Sequence, residues 1–168
     1  MRLLIIVGVG SLFSSCAGYQ LGSAKPPSLE NVRRIAVPMM KNGTLHPRAE
    51  SIATSAVNDA IVQDGSFRLS TVSKADAVLD AEIDGIEYNT LRSSRLDSSV
   101  AEELTNTVEI DWVLRDAVDP TKILASGSSV GESSFFVDSN LQTARQNALP
   151  DAFERAAVNL VSRLASGY

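Results

Sequence analysis

The chain has 168 residues with 20 acidic and 15 basic side chains, a formal net charge of −5. This balance argues against nucleic acid as a partner, because phosphate binding relies on clustered Lys and Arg. Hydrophobic residues make up 44% of the chain, an ordinary share for a globular protein and one that argues against wholesale disorder.

The N-terminus reads as a leader. Arg2 supplies a one-charge n-region, residues 3–13 an apolar h-region, and the small residues Ser14 and Ser15 directly precede Cys16. Together they describe a cleavable secretory signal over residues 1–15. The apolar run is too short for a transmembrane helix, which needs about 20 residues. Cys16 is the only cysteine, so it can make no intramolecular disulfide. Its place at the cleavage point resembles a bacterial lipoprotein signal, although Phe13 stands where such signals most often carry Leu. The resemblance implies that the Cys16 thiol receives a diacylglyceryl group, that the peptide is cut before it and that the new amine is acylated. Three chains would hold firmly, since each buried CH₂ adds roughly 0.8 kcal/mol. The mature chain is then one charge more acidic, because only Arg2 leaves with the leader. A lipidated tether over residues 16–30, rich in Gly, Pro and Ser, leads into one domain over residues 31–168.

Residues 33–40 carry Ile35, Val37 and Met39 on one side and predict a first strand, placed at an edge or a bulge by Pro38. A turn-rich loop over residues 41–47 ends in Pro47, suited to the first position of a helix. Ala49, Ile52, Ala53, Ala56, Val57, Ala60 and Ile61 then recur at three- and four-residue intervals, an amphipathic helix ended by Gly65. Residues 67–72 predict a second strand. From Ala77 to about Leu91 a long strand sets Leu79, Ala81 and Ile83 against Asp80, Glu82 and Asp84, and the parity flips at Gly85, which predicts a bulge. Residues 89–106, with several serines and mixed charges, read as a long hairpin loop. The next strand, residues 105–116, has Val108, Ile110, Trp112 and Leu114 at strict period two. After the Asp119-Pro120 turn, residues 122–137 predict a last strand kinked at Gly127 and Gly131. A final helix begins near Leu141, with Pro150 inside it. One apolar sheet face and one apolar face per helix give an α+β fold: a two-layer sandwich with two helices packed on one face of a mainly antiparallel four- to five-stranded sheet.

Little here suggests chemistry. His46, the only histidine, would have to supply all the imidazole function of any triad or His-ligated metal site from a loop beside a proline. The carboxylates Asp80, Glu82, Asp84, Glu109 and Asp111 project in parallel from strands, where calcium needs oxygens converging from a turn. A phosphate-binding glycine loop and a CxxC pair are both lacking from the sequence. No cofactor, metal or catalytic residue is expected, and the reading is not an enzyme.

Several segments resemble the lipopolysaccharide-assembly lipoproteins of the LptE family. They are Cys16-Ala17-Gly18-Tyr19-Gln20-Leu21-Gly22, Ile35-Ala36-Val37-Pro38 followed by Asn42-Gly43-Thr44, the stretch Asp64-Gly65 and Phe67-Arg68, and Ala75-Asp76-Ala77-Val78-Leu79. The resemblance implies a non-enzymatic partner of the LptD-type outer-membrane β-barrel, seated inside the barrel as a plug and assembly aid, lipid-anchored on the periplasmic side of the outer membrane. It also implies contact with lipopolysaccharide through basic residues. No motif transfers those positions, and Lys41, Arg92 and Arg95, read as loop cations, are the candidates. The alternative is an outer-membrane lipoprotein that activates a peptidoglycan synthase. That role needs a long tether, and residues 17–28 span only about 40 Å fully extended.

Cys16→Ser should leave an unlipidated, uncut or misprocessed precursor. Mass spectrometry of the mature N-terminus checks this, and an unmodified thiol at residue 16 in the native protein would overturn the lipoprotein reading.

Overall fold

The computed structural model describes residues 25–93, 101–137 and 140–167. Their elements are β1 (Arg34–Ala36), β2 (Lys41–Asn42), α1 (Ala49–Asp64), β3 (Arg68–Leu69), β4 (Ala77–Ser93), β5 (Ala101–Asp116), β6 (Ile123–Phe136) and α2 (Leu141–Ser166). The sheet runs β3-β1-β4-β5-β6, with β2 also paired to β4. Its three long strands, β4-β5-β6, form an antiparallel meander, and the short strands β1, β2 and β3 join in parallel. The expected two-layer α+β class holds, with six strands because the first expected strand is divided into β1 and β2.

The predicted first strand is split. Pro38 has no N–H to give to a ladder, so β1 pairs with Ala77 and Val78, the chain leaves the sheet, and β2 rejoins β4 at Glu82 and Ile83. The bulge at Gly85 is present as a register shift between Ile83 and Gly85 that returns Ile86 and Tyr88 to the covered face. Four expectations are corrected. Pro47 lies before the first helix and not within it, because Arg48 takes a left-handed φ of 69° and α1 starts at Ala49. The second strand is only Arg68–Leu69, followed by a 3₁₀ turn at Val72–Lys74. The expected loop over residues 89–106 is ladder at both its ends, where pairs such as Asn89↔Thr105 and Thr90↔Leu104 carry the strands onward, and residues 94–100 lie outside the described residues. The last strand is not interrupted: β5 and β6 pair without a shift from Glu103↔Phe136 to Leu114↔Ala125.

The glycines of β6 serve close approach. From Ala125 to Ser133 the helix-facing positions of this strand are Ala125, Gly127, Ser129, Gly131 and Ser133, all small. A methyl at Gly131 would collide with the Ala152 carbonyl and the Ala156 amide of α2, and one at Gly127 would lie 2.9 Å from the Trp112 ring. Trp112 Nε1 donates to Ser129 Oγ at 3.0 Å, and Ser133 Oγ donates to the Ala148 carbonyl at 2.8 Å. Beyond Pro150, α2 buries Ala152, Phe153, Ala156, Ala157, Leu160, Val161 and Leu164. These meet Leu79, Ile83, Val108, Ile110 and Leu114 of the sheet and Ala53, Val57 and Ile61 of α1 in one core.

The expected tether ends earlier than residue 28. Lys25 Nζ donates to the carbonyls of Val32 (3.1 Å) and Ser66 (2.7 Å) and lies over the Phe67 ring, and Leu29 is fully buried after a 3₁₀ turn at Pro27–Leu29. Nearby, the Asp76 carboxylate accepts from the backbone N–H groups of Arg33 and Arg34 and from the Arg34 guanidinium at 2.8 Å, fastening β1 to the start of β4. These bonds, the Arg34 side chain first, hold the Asp76 pKa at about 2.

Trp112→Ala should destabilise the domain by about 3–5 kcal/mol, the usual cost of emptying a large buried aromatic site. A thermal melt that barely moves would contradict its placement in the core. Asp76 is depressed in the fold, so its contribution is complete above its ordinary 3.8 and disappears as pH falls through about 2. Asp76→Asn should therefore destabilise at neutral pH and flatten the acid limb of stability in that window. Parallel curves for the two proteins would refute this role.

Candidate interaction surface

Because both helices cover one face of the sheet, the other is left open. It presents Asp80, Glu82, Asp84 and Glu87 from β4, Glu109 and Asp111 from β5, and Ser126, Ser128 and Glu132 from β6. Arg115 pairs with Asp80 at 3.3 Å, and Ser128 Oγ donates to Glu109 Oε1 at 2.6 Å. Among the described residues Glu82, Asp84, Glu87 and Asp111 have no ion-pair partner. A shallow depression of about 610 Å³ on this face is bordered by Met39, Lys41, Asp80, Glu82, Asp111 and Arg115. The surface is thus hydrogen-bonding and acidic, with the cations Lys41 and Arg115 at its border. Among the described residues no three His, Cys, Asp or Glu side chains group as a metal set, and no helix is long and apolar enough to cross a membrane.

The three candidate cations are not brought together. Lys41 is on β2, exposed and in register with Glu82, while Arg92 lies near the end of β4. Ten strand positions, roughly 30 Å, separate them. Neither is in a loop, contrary to expectation, because the chain around each continues the sheet. Arg95 and Cys16 lie outside the described residues. His46 is in the loop before α1: its carbonyl accepts from Asn42 Nδ2 at 2.9 Å, and its ring lies 5.6 Å from that of Tyr88.

Sequence reasoning missed one group of residues. Asn106, where the expected loop and the expected strand overlap, stands on the covered face of β5 at 0% exposure, opposite Tyr88 of β4, whose ring lies under the Arg145 guanidinium of α2. The available signal was a polar residue at the period-two position following Leu104 and preceding Val108.

A two-layer α+β domain of this fold is shared by several bacterial proteins of known structure. Lipoprotein B from Nitrosomonas europaea is 15% identical, with a TM-score of 0.52 over 90% of this chain and 92% of that one. A protein from Xanthomonas campestris is 14% identical, with a TM-score of 0.57 over 81% and 86%. A minor lipoprotein from Acinetobacter baumannii is 8% identical, with a TM-score of 0.51 over 81% and 92%. At these identities the likeness is one of fold. No curated protein matches the sequence. The model of the lipopolysaccharide-assembly family LptE matches residues 32–164, and the chain belongs to that family. It is therefore a protein of lipopolysaccharide assembly.

Proposed function

We propose that the protein is a non-enzymatic lipoprotein, anchored through Cys16 on the periplasmic side of the outer membrane, that seats in an LptD-type β-barrel as a plug and assembly partner. The observation that carries this reading is the open sheet face. A barrel lumen is polar, so its plug must offer charged and hydrogen-bonding groups where an ordinary docking face would be apolar. Asp80, Glu82, Glu109, Asp111 and Ser128 supply such groups on one surface. The domain boundaries follow: residues 1–15 are a removed signal, residues from Cys16 onward a tether, and the rest the seated domain. Lys41, Arg92 and Arg95 face lipopolysaccharide phosphates in this proposal, Lys41 separately from the other two.

Contacts spread over a wide polar face are individually weak, so single substitutions should be mild and loss of the whole protein severe. Depletion should leave the barrel misassembled and lipopolysaccharide stalled in the periplasm, and the barrel should co-purify from detergent-solubilised outer membranes. An intact barrel with a weakened cell wall would overturn the reading in favour of a peptidoglycan-synthase activator. Lys41→Glu, and separately Arg92→Glu with Arg95→Glu, should weaken lipopolysaccharide binding because reversed charges repel phosphates, while the barrel complex survives because each change leaves the carboxylates and hydroxyls of the wide open face in place. Unchanged lipopolysaccharide binding would remove these cations from the proposal.

A further inference from the structure

Among the described residues, every buried side-chain polar atom without a hydrogen-bond partner belongs to three residues: Tyr88 Oη, Asn106 Nδ2 and Oδ1, and Arg145 Nε. They are neighbours. Tyr88 and Asn106 are directly opposite each other in the β4–β5 ladder, and the Arg145 guanidinium lies 4.6 Å from the centre of the Tyr88 ring. Native folds pair nearly all such atoms, because a buried donor or acceptor left alone forfeits its hydration without return. Four orphaned atoms gathered in one place therefore call for a partner from outside the chain.

The surroundings define its chemistry. Ser133, beside Asn106 in the ladder, gives its hydroxyl to the Ala148 carbonyl, so it is committed elsewhere. Leu104 is buried next to the group, and Phe135 meets the Tyr88 ring edge to face at 6.4 Å. Among the described residues Arg145 has no carboxylate partner, so the described side chains of the group leave its positive charge uncompensated. Its open donors are an amide N–H, a phenol O–H and a guanidinium N–H. A cation would be repelled, and a neutral ligand would leave the guanidinium uncompensated. An anion with two or more oxygens can accept from Arg145 Nε and Asn106 Nδ2 together, in charge-assisted bonds strengthened by the apolar walls. Tyr88, Arg145 and His46 are only half-buried, so the rim reaches solvent while Asn106 forms the floor.

We propose that Tyr88, Asn106 and Arg145 form a binding site for a small oxyanion group, a carboxylate or a phosphate, between the sheet and the first turns of α2. The site lies on the covered face of the sheet, apart from the open face assigned to the barrel, and does not depend on that assignment. A phosphate carrying one proton also supplies the donor that Asn106 Oδ1 lacks, whereas a carboxylate leaves that atom to water.

The test is a titration of the full chain in detergent micelles with sodium phosphate and with sodium acetate, against sodium chloride at matched ionic strength. The readout is the NMR signals of Arg145 Nε–H and the Asn106 side-chain amide. The expected result is a saturable shift of both signals with phosphate and none with chloride. A matching response to acetate assigns the site to oxyanions generally, and its absence to phosphate alone. Arg145→Lys keeps the charge but loses Nε and the planar fork, and should weaken binding about tenfold. Asn106→Leu should abolish binding while leaving the melting temperature unchanged or raised, since it removes the orphaned amide. Shifts that follow ionic strength alone, or a crystal grown in phosphate in which water alone bridges the three side chains, would overturn the proposal. The wild-type titration stands even if a variant fails to fold.

Discussion

The close seating of α2 on β6 is the contact on which the rest of the architecture depends. It is possible only because Gly131 presents bare backbone to the Ala152 carbonyl and the Ala156 amide, with small residues on either side along the strand. At that separation the polar groups of helix and strand come within hydrogen-bonding reach. Asn159 Nδ2 donates to the Val130 carbonyl at 2.8 Å and an Arg163 guanidinium nitrogen to the Ser128 carbonyl at 2.7 Å. These two side chains cover carbonyls of a long edge strand that would otherwise invite pairing with another chain. One contact therefore fixes the helix, closes part of the core and blunts the edge.

The consequence for function is geometrical. With α2 drawn onto β6 and α1 lying beside α2, both helices occupy one face, and the carboxylates of β4 and β5 have the other to themselves. The alternation of Asp80, Glu82 and Asp84 with Leu79, Ala81 and Ile83 is the sequence counterpart of that division. A second helix on the open face would have to bury those carboxylates without partners, which is costly enough to exclude the arrangement.

The core was legible wherever period two or period 3.6 was strict: Val108 to Leu114, the Gly85 bulge, the α1 stripe and the Pro38 interruption. It was not legible where a residue type has two physical uses. Gly127 and Gly131 look like breaks in a strand, and only the position of α2 reveals that they admit a ring and a helix backbone. Thr90, Thr105 and Asn89 look like loop residues, yet β-branched and small polar side chains suit an exposed ladder equally well. Asn106 was hidden for the same reason, since a polar residue near a presumed loop raises no question until the ladder places it in the interior. Lys41, Arg92 and Arg95 were chosen on charge alone, and charge carries no information about the strand separation between the first two.

The position of the chain's entry adds a constraint that the sequence only suggested. Lys25 and Leu29 are already tied to the domain, and Pro26 packs under Gly167 at the end of α2, so entry and exit share one end of the sandwich. Only residues 17–24 remain between Cys16 and that end, a reach of about 27 Å at full extension. Were Cys16 lipidated as proposed, the end bearing Lys25 would stay near the membrane, and β4, 17 residues long, would carry Tyr88 and Arg92 toward the opposite end, about 55 Å along the strand from its start. A domain held this closely can share the membrane with a barrel, whereas reaching a distant enzyme would require a tether that the folded segment from Lys25 onward has taken away. The short reach thus favours the barrel partner over the synthase activator more strongly than the length of the Gly-, Pro- and Ser-rich stretch alone.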